Sequence, residues 1–236
     1  MTNILFNNKI IDIMFENNII KFFKLLICSV FVMSLLFSCN NSSNVQSNFN
    51  KDSNFSYLVN QNNITVSWSG YKTNDKIKVS GSFNEISSNR EGKYFSSVAK
   101  LLNGLEFSIN SSSSLSGDPM RDLNLKDHFF NIFSDNYTIH GLLSEPINDS
   151  ININFNIFGI NRTIRMPFFV SSVYKLNDNS YLDIEIKGSI NLVSFGAENA
   201  FNSIHKKCYD LHKGIDGISK TWEDVDIHVI AKIKRV

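Results

Sequence analysis

The chain has 236 residues and a formal net charge of +1, and 42% of its residues are hydrophobic. This length is sufficient for a full hydrophobic core, and the near-neutral charge excludes the basic character typical of nucleic-acid-binding proteins. Two of the three cysteines, Cys28 and Cys39, lie close to the N-terminus and far from Cys208, which argues against a disulfide-stabilised fold.

The N-terminal segment has the pattern of an export signal. Lys21 and Lys24 precede an apolar run over residues 25–37, which is short for a membrane-spanning helix. The run ends in Leu-Phe-Ser-Cys, which resembles a bacterial lipoprotein signal, in which the thiol is diacylated and the chain is cut before it. We therefore predict lipidation at Cys39. The alternatives are a plain signal peptide cleaved elsewhere and an uncleaved anchor.

This signal sets the predicted domain boundaries and the location. We assign residues 1–38 to the signal peptide, with Met14 as an alternative start, and residues 39–59 to a polar tether too poor in apolar surface to fold. Residues 60–236 form the folded domain. The signal therefore predicts a lipid-anchored protein of the bacterial cell envelope. Asn40, directly after the lipidated cysteine, favours a location at the outer membrane, facing the periplasm.

Alternation of apolar and polar residues predicts strands with one buried and one solvated face, typical of an antiparallel sheet. The segments are residues 64–70, 77–83, 105–109, 151–157, 181–187 and 225–234. Turn signals at 158–161 and 177–180 predict hairpins. About eight short strand segments, counting weaker ones, indicate an all-β barrel or sandwich.

Two segments break this pattern. Residues 121–130 (RDLNLKDHFF) follow Pro119 and predict a short amphipathic helix or turn. A second helix is predicted from about 197 to 212, because apolar residues recur there at helical spacing. Its apolar stripe consists of Ala197, Ala200, Phe201, Ile204, Cys208 and Leu211, and Gly214 follows as a stop signal.

The Arg-Asp pair and double Phe of residues 121–130 resemble a motif of the YceI-like family. Four further segments resemble that family in the same order: residues 66–72, 76–83 (KIKVSGSF), 157–167 (IFGINRTIRMP) and the tail over 200–225. The resemblance covers residues 60–236, and the tail resembles a lipoprotein branch of the family. It implies an antiparallel eight-stranded lipocalin-like β-barrel with one or two short helices.

The resemblance also implies a function. The barrel would bind an isoprenoid lipid of the quinone or polyprenyl type, without catalysis and without a covalent cofactor. Six aromatic residues are candidates to line the cavity, although filling the core is the usual role of an inward aromatic. They are Trp68, Phe83, Phe107, Phe129, Phe130 and Phe155. Arg121 and Asp122 could bind a lipid head group, but satisfying backbone groups at a buried turn is the favoured role.

A metal site is the main alternative. His205, Cys208 and His212 fall near one side of the predicted helix, and a thiolate with two imidazoles could bind zinc or copper. The favoured interpretation is that Cys208 packs as a small hydrophobe. We find no motif for a catalytic serine or a phosphate-binding loop. A metal-binding or enzymatic envelope protein, a solid-cored interaction module and a homodimer remain open.

Overall fold

The computed structural model describes residues 54–133 and 137–236. Every described residue lies in one compact unit, Val45–Val236. The predicted signal peptide, the lipidation site at Cys39 and most of the polar tether lie outside the described residues. No helix within the described part of the chain is long and apolar enough to cross a membrane.

The described residues form one antiparallel sheet. Its strands are β1 (Tyr57–Leu58), β2 (Ile64–Lys72), β3 (Ile77–Phe83), β4 (Ile86–Ser88), β5 (Tyr94–Phe95), β6 (Glu106–Asn110), β7 (Ser114–Leu115), β8 (Thr138–Leu143), β9 (Ser150–Ile157), β10 (Ile160–Val170), β11 (Tyr174–Leu176), β12 (Asn179–Asn191) and β13 (Asp224–Arg235). The order is β4-β6-β8-β9-β10-β12-β13-β2-β3-β7, with β1 paired to β13 and β5, and β11 paired to β12.

The sheet curls into a half-barrel, so the fold is all-β and consistent with a lipocalin-like architecture. The predicted count of eight strands is not confirmed, because the described residues contain thirteen. Five of these strands have only two or three residues. A segment that short has no recognisable alternation, so only pairing with neighbouring strands makes it a strand.

The alternation predicted for the long strands is present in the structure. On β9, Ile151, Ile153, Phe155 and Ile157 are buried, and the asparagines between them are not. Phe158 and Gly159 have positive φ angles and connect β9 to β10 as a tight hairpin. This confirms the turn predicted at 158–161, where glycine adopts the left-handed conformation without steric cost.

Within residues 54–133 and 137–236, three helices accompany the sheet: α1 (Val98–Leu102), α2 (Pro119–His128) and α3 (Glu198–Lys207). Single 3-10 turns lie at Gln61–Asn63, Ser111–Ser113, Phe130–Ile132, Val193–Phe195 and Asp210–His212. Helix α2 confirms the helix predicted around residues 121–130. The Asp118 side chain accepts hydrogen bonds from the backbone N–H groups of Met120 and Arg121, which caps its N-terminus. Leu123 on this helix is exposed.

Helix α3 is shorter than the predicted 197–212 helix. It ends at Lys207, and the chain continues through Cys208 into a separate 3-10 turn. The predicted stripe is buried at Ala197, Ala200, Ile204 and Cys208, but Leu211 is exposed.

The buried residues form two clusters. The first lies within the sheet and includes Tyr57 and Val59, so the folded part begins before the boundary predicted at residue 60. Both residues are nearly inaccessible because β1 pairs with β5 and β13. The second cluster lies where α2 and α3 meet β2 and β3, and it contains Trp68, Phe129 and Phe130 among others.

Candidate functional site

Among the cavities of the described residues, two adjoin these two clusters. The larger, of about 310 Å³, is bounded by β2, β3, α2 and α3. The smaller, of about 130 Å³, lies deeper within the sheet. Among the described residues that line the smaller cavity, Ser88 alone is polar. The larger cavity also has polar and charged groups in its wall, including Lys72, Arg121, Asn124 and His212.

The six predicted aromatic residues all lie in the walls of these cavities. Trp68, Phe83, Phe129 and Phe130 line the larger cavity, and Phe83, Phe107 and Phe155 line the smaller one. Each therefore contributes to the core and also faces open space. Contact of these six side chains with a ligand stays a prediction.

An aromatic cluster forms one side of the larger cavity. Phe129 meets Phe130 edge to face, with ring centroids 5.1 Å apart, and Phe130 meets Phe83 at 6.4 Å. Phe158, at the tip of the β9–β10 hairpin, lies 5.8 Å from Phe129 and stacks on Phe133 at 3.6 Å. Sequence reasoning treated Phe158 only as a turn residue. Its role arises because the hairpin tip folds back beside α2.

Arg121 and Asp122 do not pair with each other. Arg121 lines the larger cavity and lies 3.4 Å from Asp118, with its side chain partly exposed. Asp122 accepts hydrogen bonds from the Ser116 backbone N–H at 2.8 Å and from the Ser116 hydroxyl at 2.6 Å. Asp122 thus holds the chain before the helix, which is the structural role favoured from the sequence, whereas Arg121 faces the cavity.

The three candidate metal ligands have other partners. His205 Nδ1 and His212 Nδ1 lie 2.8 and 2.6 Å from the Thr221 hydroxyl oxygen, so both imidazoles converge on a hydroxyl group. A hydroxyl has one proton to donate, so one histidine accepts it and the other donates its own N–H. No group of three or more His, Cys, Asp or Glu side chains in the described part of the chain is placed to hold a metal ion.

Cys208 is buried beside the cavity, where its Sγ lies 4.0 Å from Asn124 Nδ2. Burial raises the pKa of the Cys208 thiol, and the positive charges of Lys207 and Lys72 only partly offset this. A thiol in such surroundings stays protonated at neutral pH and is a poor nucleophile. Cys208 therefore packs as a small apolar residue.

His212 gives the domain a pH-dependent stability. Burial, aided by the charges of Lys72 and His205, lowers the pKa of His212 from 6.5 to about 4. Between these values the unfolded chain binds a proton that the folded chain does not. Stability contributed by His212 is therefore complete above pH 6.5 and is lost as the pH falls towards 4.

We expect the urea midpoint of the His212→Gln variant to fall less than that of the wild type over this pH range. Equilibrium unfolding at several pH values measures the difference. Carboxylates titrate in both proteins and cancel in the comparison. Parallel curves for the two proteins would contradict this assignment.

A second group of residues beside the cavity was not assigned a role from the sequence. Trp222 lines the larger cavity, and its indole N–H donates to the Thr73 carbonyl at 2.8 Å. The ammonium groups of Lys220 and Lys76 lie 3.8 and 4.1 Å from the centroid of the Trp222 ring. Lys220 and Trp222 belong to the tail over 200–225 that resembles the family, but only the fold brings Lys76, from the turn between β2 and β3, to the same ring.

No protein-family model and no curated protein matches this chain. Among solved structures, the chain is similar to a polyisoprenoid-binding domain from Saccharophagus degradans implicated in plant cell wall breakdown. That similarity has a TM-score of 0.52 at 10% identity and covers 76% of this chain and 97% of the domain.

Two weaker similarities have TM-scores below 0.5. BcnA from Burkholderia cenocepacia matches with a TM-score of 0.47 at 15% identity, over 74% of this chain and 98% of BcnA. The YCEI protein of Campylobacter jejuni matches with a TM-score of 0.45 at 14% identity, over 65% of this chain and 83% of that protein.

At such low identity the first similarity shows a shared fold. The chain therefore has the fold of the polyisoprenoid-binding domain from Saccharophagus degradans.

Proposed function

We propose that the domain binds the apolar tail of an isoprenoid lipid, of the quinone or polyprenyl type, inside its curled sheet. The observation that carries this proposal is that the two cavities adjoin. Five apolar residues line both of them: Phe83, Ile139, Ile157, Ile190 and Ile227. Rotation of these side chains would join the cavities into one apolar path.

The polarity of the walls favours one orientation of the lipid. The smaller, deeper cavity is lined almost entirely by apolar side chains and would take the end of the tail. Lys72, Arg121 and His212 line the larger cavity and would lie near the head group. A hydroxyl, carbonyl or phosphate oxygen could accept hydrogen bonds from these residues.

The size and the energetics are compatible with a lipid. The larger cavity, at about 310 Å³, lies at the lower end of the range of about 300–1,000 Å³ that ligand pockets span. Each Å² of lipid surface removed from water contributes about 25 cal/mol. Binding of this kind requires no bond to be made or broken, so we infer a carrier or buffer rather than an enzyme. The two cavities also argue against a solid-cored interaction module.

We further infer that the sheet closes into an eight-stranded barrel. Only two residues separate β3 from β4, and one 3-10 turn separates β6 from β7. β3 pairs with β7, and β4 pairs with β6. If β3 and β4 are one bent strand, and β6 and β7 another, the two ends of the sheet meet. Closure of this kind removes the free sheet edges and encloses the interior.

The cellular setting of the proposal rests on the N-terminal segment. We propose that acylation of Cys39 anchors the domain in the bacterial envelope, at the outer membrane facing the periplasm. A carrier held at a membrane has direct access to isoprenoid lipids, because they dissolve only there. Mass spectrometry of the mature N-terminus tests this proposal, since an acylated cysteine would be the first residue.

The cavity itself is tested by filling it. Val79 lines the larger cavity, and Val79→Trp would occupy space that the lipid tail needs. We expect about tenfold less bound lipid, equivalent to about 1.4 kcal/mol. The measurement is organic extraction of natively purified protein followed by quantitative mass spectrometry.

Lys78→Trp is the matched control, because Lys78 is exposed and precedes Val79 on the same strand. Successive residues of a strand point to opposite faces, so this tryptophan should leave lipid content unchanged. Equal lipid content in both variants, or wild-type protein repeatedly free of lipid, would contradict the proposed function.

A further inference from the structure

We propose that the rim of the larger cavity docks onto an anionic phospholipid bilayer. The rim consists of the loop over residues 209–220, the β2–β3 turn over residues 73–76, and Met120 on α2. This inference extends the proposed function, because a lipid stored in the cavity must come from a membrane. It is tested independently of any bound isoprenoid.

The rim exposes large apolar side chains close to the cavity entrance. Leu211 and Met120 line the cavity and are also 64% and 62% exposed. Ile215 is fully exposed, with a relative accessibility of 103%, and Ile218 is also exposed. Apolar side chains grouped in this way usually mark an interaction surface. Here they surround the route by which a lipid tail would enter.

The loop that carries Ile215 and Ile218 is held in place. Its base is closed by a bridge between Lys213 and Ser219, and the Gly214 backbone N–H donates to the Ile218 carbonyl at 3.0 Å. Asn74, in the β2–β3 turn, donates to Asp216 at 2.6 Å. The exposed isoleucines are therefore presented by an ordered loop beside the β2–β3 turn.

Charge on the rim favours an anionic membrane over other apolar partners. The rim and the residues that flank it, 73–76 and 205–222, contain five lysines and three aspartates, and two of these aspartates are engaged. Asp210 pairs with Lys213 at 2.7 Å, and Asp216 bonds to Asn74 and to the Ile218 N–H. Lys206, Lys207 and Lys220 make no ion pair within the described residues. Lysines beside exposed apolar tips suit lipid phosphates above an acyl layer.

Aromatic residues complete this arrangement. Tyr209 is exposed on the loop, and the ammonium groups of Lys76 and Lys220 lie over the Trp222 ring. Tyrosine and tryptophan are enriched at the boundary between lipid head groups and acyl chains. The rim thus combines apolar tips, flanking cations and interfacial aromatics around one opening.

Hydrogen–deuterium exchange of the whole chain, reconstituted into vesicles, tests the docking. The vesicles are phosphatidylcholine alone or equal parts phosphatidylcholine and phosphatidylglycerol, and neither contains isoprenoid. We expect deuterium uptake in residues 209–220 to slow about threefold in the anionic vesicles, since docking suppresses local opening. Uptake in β9 and β12 should not change.

The double variant Ile215→Ser with Ile218→Ser should lose this protection, and the single variant Ile215→Ser should lose part of it. Ile147→Ser is the control, because Ile147 is also exposed but lies in the turn before β9, outside the rim. Unchanged uptake in β9 and β12 shows that each variant is folded.

Equal uptake in the two kinds of vesicle, or equal protection in wild type and double variant, would overturn the docking proposal. Protection that instead rises with protein concentration in solution would also overturn it, in favour of self-association. A protein without extractable lipid that still shows rim protection would contradict the proposed cargo and leave the docking intact. Extractable lipid without rim protection would contradict the docking and leave the proposed cargo intact.

Discussion

Replacing Phe195 with alanine should lower the free energy of unfolding by about 3–5 kcal/mol. Phe195 is completely buried, and it ends the 3-10 turn that leads from β12 towards α3. Its ring belongs to the core cluster within the sheet. Alanine would leave a cavity at the point where the sheet passes into the helical cover, and the neighbouring backbone cannot close it without moving Gly196, whose φ is +70°.

Urea unfolding at neutral pH measures this loss as a shift in midpoint at constant slope. Phe169→Ala is the control, because Phe169 lies on β10 with its side chain exposed. Its effect should remain within about 0.5 kcal/mol, as for most surface substitutions. Similar losses in the two variants would contradict the placement of Phe195 in the core.

Replacing Gly81 with alanine should destabilise the domain by about 1–3 kcal/mol, the usual cost of overpacking. Gly81 lies opposite Trp68 in the β2–β3 register, and the indole ring covers it. An added Cβ would lie 2.5 Å from Trp68 Cζ2 and 2.7 Å from the Leu115 carbonyl oxygen. The ring can move, but the carbonyl belongs to the backbone of β7 and cannot move without disturbing that pairing.

The same substitution should also disturb the cavity. Trp68 lines the larger cavity, and its indole N–H donates to Ser114 Oγ at 3.0 Å. Displacement of the ring would break this bond and change the cavity wall, so lipid content should fall along with stability. Intrinsic tryptophan fluorescence reports displacement of the Trp68 ring, and organic extraction measures the amount of bound lipid.

Gly70→Ala is the matched control for Gly81→Ala. An added Cβ at Gly70 meets nothing closer than Val79 Cγ2, at 3.9 Å, which is ordinary van der Waals contact. We expect this variant to be neutral or slightly more stable, since alanine reduces the freedom of the unfolded chain. Equal destabilisation by both substitutions would show that close approach of Trp68 is not the cause.

The long strands could be predicted because each has one buried and one solvated face. On β9 the buried positions are every second residue from Ile151 to Ile157, as the alternation indicated. The short strands could not be predicted in this way. Tyr57–Leu58 is a strand only because β5 and β13 lie on either side of it, and that neighbourhood is created by folding.

The site was predictable only in part. Four of the six candidate aromatic residues lie on predicted strands and two in the predicted helix or turn over 121–130, and all six line the two cavities. Phe158 and Lys76 were missed, because turn residues have no periodic pattern. Their positions depend on where the hairpin tips meet α2 and Trp222.

The sequence by itself determined that the described domain is an antiparallel β structure with two short helices near residues 121 and 200, because local periodicity reports which face of each segment avoids water. Only the tertiary structure decided where space remains unfilled. Cavity volume depends on how side chains from distant strands and helices meet, as at Trp68, Phe83 and Phe129. Such meetings join residues far apart in the chain, so no local pattern encodes them.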